Sequence, residues 1–337
     1  MRVLNEREYG LLERIVSLSQ ADLKVTLAQY LKGKYKKVIV EKEYIIAVGD
    51  IPVALVAHMD TVFYNQPSEI YYDQRKAIMW SPDGLGADDR AGIFAILQII
   101  IDGYRPHIIL TTDEERGGLG AQALAKKKCP IEFLRFMIQL DRRGSNDCVF
   151  YECLNPEFIK FIEHFGFAEA VGSFSDISFL MPAWKICGVN LSIGYKDEHT
   201  IAETLNVHWM FKTISKVEDI LEEVRKHDCP QYEFREIGNK LQNYYSFMRP
   251  YETYDDTYDD TYDTGTPCEC CGKYFFDFEL FPTKSKKKHK MVYYCPDCAV
   301  DRVEWCEECG HPYEMIDPED DMGYCPDCME AFSVKDN

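Results

Sequence analysis

Strand-like apolar runs alternate with helical patterns along much of the chain, and this alternation restricts the fold more than any other feature of the sequence. The runs IPVALVAH (51–58) and PHIILTTD (106–113) are typical of buried strands, whereas DDRAGIFAILQII (88–100) between them is typical of a helix. Strands separated by helices need crossover connections, which place them parallel in one sheet. The sequence therefore predicts an α/β fold, with a mostly parallel sheet flanked by helices.

Other segments continue this alternation from the start of the chain to residue 227. Two amphipathic patterns predict helices at the start, and β-branched runs around a charged turn predict a hairpin after them. The predicted elements are helices over 6–19, 21–31, 88–100, 119–128, 155–167 and 204–227, a hairpin over 36–50, and strands over 51–58, 106–113, 132–141 and 185–194.

Length and charge limit the classes of function. The 337 residues are enough for a sizeable core and an appendage, and the net charge of −19 argues against a general coat for nucleic acid. No apolar run approaches the roughly 18 residues that a membrane span needs, and the charged start of the chain lacks the pattern of a signal peptide. We therefore expect a cytoplasmic protein whose 14 cysteines are reduced.

The composition changes after the last helical pattern, which predicts four parts of the chain. Tyr251–Thr266 reads YETYDDTYDDTYDTGT, and its few aliphatic residues and dense negative charge predict a solvated linker, in preference to a phosphorylation or docking tract. A cysteine-rich tail follows directly. The predicted parts are a catalytic domain (1–228), a helical and acidic linker (229–266), a first zinc ribbon (267–300) and a second zinc ribbon (301–337).

Histidine and carboxylate side chains stand at the points where the predicted strands end. In open α/β sheets the carboxyl ends of the strands meet at one crevice, so we expect these side chains to converge there. Carboxylates packed together repel one another, and a pair of divalent metal ions removes that conflict. The converging residues are His58, Asp88, Asp89, Glu114, Glu115, Asp141 and His199.

The types of these residues restrict the metal and its chemistry. Two imidazoles with several carboxylates and no thiolate suit zinc, or cobalt or manganese in its place. Two such ions can activate a water and polarise a carbonyl, and a carboxylate that is not a ligand must then take the water's proton. The doublet Glu114–Glu115 can supply both a ligand and this base. Taken singly, each motif also fits a plain structural role, such as a helix N-cap for Asp88–Asp89.

Five short motifs occur in a fixed order: HMD (58–60), GADDRAG (86–92), DEE (113–115), the strand-ending Asp141 and HT (199–200). This ordered set resembles the co-catalytic zinc exopeptidases, a clan that includes peptidase T, deacylases, dipeptidases and the bacterial aminopeptidases. The resemblance covers roughly residues 36–227, and the ordered set is far more specific than any single motif.

The resemblance implies a metal role for five residues. It implies that Asp88 bridges both ions. His58 and Asp141 would complete the shell of one ion, while Glu115 and His199 would complete the shell of the other.

The resemblance also implies roles around these ligands. Glu114 would be the general base, and Asp60 would orient and polarise His58. The peptide bond after Asp88 would be cis. The stretches FSDISFL and GVNLSIGYKDEHT are more similar to the aminopeptidase branches than to the deacylase branch, which makes Asp176 a candidate for supporting a ligand or for binding the amine of a substrate.

One departure concerns the lid and dimerisation domain that the deacylase and dipeptidase branch carries between its last two ligands. Here Asp141 and His199 are 58 positions apart, and one helix with about two strands fills that segment. We therefore expect no lid, which argues against a dipeptidase or a deacylase and favours an exposed site. Arg142 and Arg143 could replace the carboxylate clamp of the lid, or be solvated.

The cysteine tail has two sets of paired CxxC motifs, which predict two structural zinc sites of four thiolates each. Cys270 is left over and could replace a neighbour. The run TKSKKKHK (283–290) could contact phosphates or be a solvated hairpin. The predicted sites are Cys268, Cys271, Cys295 and Cys298, and Cys306, Cys309, Cys325 and Cys328.

Together these observations predict a zinc-dependent exopeptidase, an aminopeptidase acting on short peptides, with two catalytic and two structural metal ions. Two alternatives stay open. One is a metal-stabilised scaffold without activity, whose ribbons bind protein or nucleic acid, and the other is an N-acyl amino acid deacylase.

Overall fold

The computed structural model describes residues 1–227, 229–235, 266–275, 280–285, 291–299, 302–305 and 312–314. The chain divides into two compact units, Met1–Glu236 and Ile237–Asn337. The acidic tract up to residue 265 and the four cysteines of the predicted second ribbon lie outside the described residues. The four predicted parts of the chain therefore stay predictions.

The described part of the first unit contains seven helices and twelve strands. The helices are α1 (Glu6–Val16), α2 (Gln20–Lys32), α3 (Ala87–Ile101), α4 (Leu119–Ala125), α5 (Pro156–His164), α6 (Asp176–Trp184) and α7 (Val207–Lys226). The strands are β1 (Lys37–Val40), β2 (Tyr44–Val48), β3 (Ile51–His58), β4 (Tyr71–Asp73), β5 (Ile78–Trp80), β6 (Pro106–Thr111), β7 (Phe136–Arg142), β8 (Asp147–Val149), β9 (Ala168–Glu169), β10 (Gly188–Ser192), β11 (Tyr195–Lys196) and β12 (Thr204–Asn206). Among the described helices, none combines the length and the apolar character that crossing a bilayer requires.

Eight strands form the main sheet, in the order β1-β2-β6-β3-β7-β10-β8-β9. The central strands β6, β3, β7 and β10 run parallel to one another. Antiparallel pairs flank them, β1 with β2 and β2 with β6 on one side, and β10 with β8 on the other. The predicted α/β fold is confirmed, and its parallel part lies at the centre of a mixed sheet.

Strand β3 is apolar along nearly its whole length because helices cover both of its faces. Successive side chains of a strand point to opposite faces, yet every residue from Val53 to His58 is buried. Helices α3 and α7 pack against β3 and against each other, and α6 contacts β3 as well. Continuous apolar runs are the pattern of parallel strands covered in this way.

The N-terminal helix α1 is tied to α3, the helix that carries Asp88. Asn5 caps α1 by accepting the backbone N–H of Glu8, whose carboxylate accepts the N–H of Asn5. At the other end of α1, the buried guanidinium of Arg90 donates to the carbonyl oxygens of Ile15 and Leu18 at 2.7 and 3.0 Å. The last turn of α1 and the segment just after it therefore supply the acceptors for a buried cation at the start of α3.

The segment between Asp141 and His199 holds two helices, α5 and α6, rather than the one helix that the sequence predicts. Helix α6 was missed because its sequence, DISFLMPAW, is apolar on all sides and contains Pro182, so it lacks a helical period. Phe158 of α5 packs on Phe136 of β7, with ring centroids 5.4 Å apart. The segment also supplies β8, β9 and β10 to the main sheet, so core elements occupy it.

A second, antiparallel sheet has the order β11-β12-β5-β4. Sequence reasoning missed it because strands of two or three residues are too short to show a period. The connection between β11 and β12 carries His199 and Glu203. This small sheet therefore fixes both ends of the loop that carries His199 and Glu203.

The described part of the second unit is built from short strands. Strand β13 pairs with β14, and the order β16-β15-β18-β17 forms a small sheet. The elements are β13 (Thr266–Pro267), β14 (Tyr274–Phe275), β15 (Phe281–Lys284), β16 (Met291–Tyr294), α8 (Pro296–Ala299), β17 (Val303–Trp305) and β18 (Pro312–Glu314).

Replacing Gly92 by alanine should destabilise the first unit by about 1–3 kcal/mol, the usual cost of overpacking a core. A Cβ atom there would lie 2.3 Å from Oδ1 of Asp89 and 2.4 Å from the carbonyl oxygen of Leu140. Differential scanning calorimetry of the full chain measures the shift of the first unit's transition.

Gly10→Ala is the matched control, because Gly10 also lies in a helix but has no atom within 4 Å of the added Cβ. This variant should gain about 0.5–1 kcal/mol from the higher helix propensity of alanine. Equal effects of the two substitutions would contradict the packing described for α3.

Candidate metal centre

The polar residues predicted from the strand ends lie together at the carboxyl edge of the central strands. His58 is the last residue of β3, and Asp141 lies near the end of β7. Glu114–Glu115 follow β6, Asp88 opens α3, and His199 comes from the loop after β11. Elements far apart in sequence thus deliver these side chains to one place.

Asp88 lies between two groups of side chains. Its Oδ1 is 3.1 Å from Nε2 of His58, which is 3.6 Å from Oδ1 of Asp141. Its Oδ2 is 3.2 Å from Nε2 of His199, which is 3.1 Å from Oε2 of Glu115. In each group of three, the donor atoms lie within 4.8 Å of one another. One carboxylate shared by two groups could bridge two ions.

The backbone on either side of Asp88 is held by buried carboxylates. Glu203, which is fully buried, accepts the N–H groups of Ala87 and Asp88, each at 3.0 Å. Burial, with the charge of Asp88, raises the pKa of Glu203 to about 8. The bond between Asp88 and Asp89 is cis, as the resemblance implies, and the carboxylate of Asp89 accepts the backbone N–H of His58 at 3.3 Å.

Asp60 links the end of β3 to the Glu114–Glu115 doublet. Its Oδ1 lies 3.3 Å from Nδ1 of His58 and accepts the backbone N–H of Glu114 at 3.1 Å. Its Oδ2 accepts the N–H of Glu115 at 3.0 Å. Burial opposes ionisation of Asp60, but His58 and the two amides lower its pKa below the usual value. Asp60 therefore orients both the imidazole and the segment that carries the doublet.

Burial and crowding alter the acidity of the whole cluster. Burial, with the charge of Asp88, raises the pKa of Asp141 to about 6 and that of Glu115 to about 7. Burial also raises the pKa of Glu114 well above its usual value. Hydrogen bonds to Asp88 and Glu115 raise the pKa of His199 to about 11. The cluster therefore retains protons that cations could replace.

This donor set fits divalent metal ions. Oε1 of Glu115 is buried without a hydrogen-bond partner, and an unpaired buried polar atom costs about 1–3 kcal/mol. A cation would satisfy it. Two imidazoles and three carboxylates without a thiolate suit zinc, and cobalt or manganese as well.

Asp176 is fully buried and reaches the cluster through other side chains. Thr111 donates its Oγ1–H to Oδ2 of Asp176 at 2.5 Å, and Nε2 of Gln139 lies 3.4 Å from the same oxygen. The same amide donates to Oδ2 of Asp141 at 3.0 Å. Of the two roles considered for Asp176, this geometry favours support of a ligand over contact with a substrate amine.

Four further residues hold the cluster, and sequence reasoning missed them. Tyr195 donates its hydroxyl to Oδ1 of Asp141 at 3.1 Å, and Ser175 donates to Oδ2 at 3.0 Å. Asn190 accepts the backbone N–H of Asp141 at 3.0 Å. No local pattern marks these three, because tertiary packing chooses their partner. The fourth, Glu203, is an acidic residue only four positions after His199, and this closeness in sequence is a weak indication that it lies near the site.

The first predicted thiolate site is compact. The sulfur atoms of its four cysteines lie within 4.8 Å of one another. Cys271 and Cys295 have their Sγ atoms 3.9 Å apart, and the backbone N–H of Cys295 donates to Sγ of Cys268 at 3.3 Å. Cys270 is exposed. This cluster is compatible with a zinc ribbon, while the second predicted set lies outside the described residues.

The chain is similar to known peptidases in sequence and in fold. A sequence profile of Peptidase family M28 matches residues 47–157. A search of curated proteins returned no match. The matched region, residues 47–157, includes the candidate residues from His58 to Asp141 and does not reach His199.

Two solved structures share the fold. The aminopeptidase PepT from Bacillus cereus aligns with a TM-score of 0.51 and 15% identity, over 66% of this chain and 99% of that chain. A tripeptidase from Staphylococcus aureus aligns with a TM-score of 0.53 and 15% identity, over 67% of this chain and 100% of that chain. At this identity the likeness establishes the α/β fold of the first unit.

Metal ions should raise the thermal stability of the first unit more at about pH 8 than at about pH 5.5. Without metal, the raised pKa values of about 6 for Asp141, 7 for Glu115 and 11 for His199 mean that the folded chain binds protons more tightly than the unfolded chain, so stability falls as pH rises. Metal binding needs deprotonated ligands and strengthens over the same range. Calorimetry with added zinc and with a chelator measures both effects.

His199→Ala serves as the control, because it leaves the cysteine sites intact and removes a candidate ligand from one of the two groups. Its metal-dependent gain should be smaller than that of the wild type at the higher pH. A gain of the same size at both pH values in the wild type would contradict metal binding by these residues.

Proposed function

We propose that the chain is a metal-dependent exopeptidase, an aminopeptidase that acts on short peptides. The observation that carries the proposal is the carboxylate of Asp88, whose two oxygens face two separate groups of candidate ligands. The match of residues 47–157 to Peptidase family M28 supports a peptidase that depends on metal. The fold shared with an aminopeptidase and a tripeptidase supports short peptides as substrates.

In this proposal the two groups hold one ion each. His58 and Asp141 would bind the first, Glu115 and His199 the second, and Asp88 both. When bound, the ions would activate a water molecule and polarise the scissile carbonyl group. Zinc is the proposed metal, with cobalt or manganese as substitutes.

Glu114 is the residue proposed to move the proton. Its carboxylate belongs to neither of the two groups that share Asp88, yet it lies within 4.8 Å of donor atoms of His58 and Glu115. Burial raises the pKa of Glu114 well above its usual value, and a carboxylate with a raised pKa holds a transferred proton more tightly. Glu114 takes a proton from the attacking water and gives it to the amine that leaves when the C–N bond breaks.

The turn that carries Glu114 is fixed from both sides. Asp60 accepts its backbone N–H, and its carbonyl oxygen accepts the N–H groups of Gly117 and Gly118 at 2.9 and 2.7 Å. The backbone of Glu114 is therefore held in place, which favours a defined position for the base.

For the tail we propose structural zinc at both sets of cysteines. The compact cluster around Cys268 and Cys295 supports the first site, and the repeated CxxC spacing supports the second. Binding of a protein or a nucleic acid by the ribbons, with the run 283–290 as a contact, stays a prediction.

Glu114→Gln should lower kcat by about 10²–10⁴-fold, the usual contribution of a general base, while the number of bound metal ions stays the same. The amide keeps the size of the side chain and cannot take the proton. Peptide hydrolysis and metal content by plasma mass spectrometry measure the two effects. Asp113→Asn changes the preceding carboxylate, which is 31% exposed and belongs to none of the groups of candidate ligands, and it should leave kcat unchanged. Full activity of Glu114→Gln would overturn the role of the base.

A panel of amino-acid amides, tripeptides and N-acyl amino acids should separate the candidate activities. An aminopeptidase cleaves the amides and tripeptides with a free amine and leaves the N-acyl compounds intact. The reverse preference would make the chain a deacylase. A metal-loaded protein that cleaves none of them would favour the scaffold without activity.

A further inference from the structure

We propose that the ion pair between Arg143 and Glu198 is a positioning device that keeps His199 in the metal centre and so sets the affinity for the second ion. The inference rests on the metal centre proposed above. Arg143 follows Asp141 by two residues, and Glu198 directly precedes His199. The pair therefore joins the strand that supplies a candidate ligand of one ion to the loop that supplies a candidate ligand of the other.

His199 is held less firmly by its surroundings than the other candidate ligands. Its side chain is 50% exposed, whereas that of His58 is 1% exposed. It belongs to a loop rather than to a strand end. His199 and Asp197 have φ values of +64° and +56°, in the left-handed region that non-glycine residues seldom adopt. A loop in this conformation needs contacts from outside to stay in place.

Contacts between the end of β7 and this loop form a series that leads to His199. The N–H of Gly144 donates to the carbonyl oxygen of Tyr195 at 2.9 Å. Farther along the loop, Nη1 of Arg143 lies 3.0 Å from Oε1 of Glu198. In this series the ion pair is the contact nearest to His199, so it restrains the residue beside the imidazole.

The partly buried position of Glu198 makes its carboxylate depend on the charge of Arg143. Its side chain is 20% exposed, and its second oxygen, Oε2, is buried without a hydrogen-bond partner. Without the guanidinium of Arg143, this carboxylate would be partly buried and uncompensated. It would turn toward solvent and displace the adjoining His199.

The same geometry argues against Arg143 as a clamp for the carboxylate of a substrate. Its guanidinium already contacts Glu198, and Arg142 lies 4.0 Å from Oδ2 of Asp147. A clamp would lower KM for substrates with a free carboxylate, whereas a positioning role alters metal affinity. The two roles therefore predict different measurements.

The test uses the full chain and three variants: Arg143→Glu, Glu198→Arg and the double exchange. Zinc content is measured by mass spectrometry over a series of chelator concentrations, and ions held by the cysteines cancel between variants. Each single variant should lose one ion per chain at a free zinc concentration about 10-fold higher than the wild type does. This is the lower end of the loss in affinity that follows when the support around a metal ligand is removed. The double exchange should restore most of the affinity.

Arg116→Glu is the matched control. Arg116 adjoins Glu115, and its side chain is 76% exposed and lies 3.7 Å from Asp113. Reversal of this charge should leave zinc content unchanged, because the guanidinium is largely exposed and solvent screens its charge.

Wild-type zinc affinity in both single variants, or no recovery in the double exchange, would overturn the inference. A loss of the same size in Arg116→Glu would overturn it too, since a general charge effect would then suffice. The proposed peptidase activity is tested separately. A wild-type chain that binds both ions and cleaves no peptide would refute that activity, and the zinc measurements would still decide the role of the Arg143–Glu198 pair.

Discussion

Repulsion among buried carboxylates is the constraint on which the first unit depends. The parallel strands all end at one edge of the sheet, and acidic side chains gather there. Burial disfavours the charged form of these side chains and raises the pKa values of Glu115 and Asp141. The unit offsets the repulsion with two imidazoles and with backbone N–H groups aimed at Asp60, Asp89 and Glu203. Such a site is costly to build and suits cations, which explains why so many supporting hydrogen bonds surround it.

Asp60 shows how one side chain organises two elements. Its oxygens accept the N–H groups of two consecutive glutamates, and one of them faces the ring of His58, so a single carboxylate joins the end of β3 to the turn after β6. The two glutamates can then differ in role, because their backbone is fixed and only their side chains point differently. Neighbours in sequence become a candidate ligand and a candidate base.

The sequence predicted the elements that carry a long, continuous hydrophobic pattern, and it predicted the site residues that lie at the ends of strands. Strand β3 and helix α3 carry continuous patterns, and His58, Asp88 and Asp141 are anchored to such elements. The short strands of the second sheet and the proline-containing α6 have no period to detect. Tyr195 and Glu203 were missed for another reason, because their role depends on contacts between residues far apart in sequence, which no local pattern records.

The buried guanidinium of Arg90 has a consequence for how the unit is delimited. It comes directly after Asp89, and its acceptors are carbonyl oxygens at the end of α1. The profile match begins at residue 47, well beyond α1. A fragment trimmed to the matched region would strip this cation of its acceptors beside the metal centre. The stretch that matches the profile is therefore shorter than the stretch that holds Arg90 in place, because the acceptors of this buried guanidinium lie some thirty residues before the match begins.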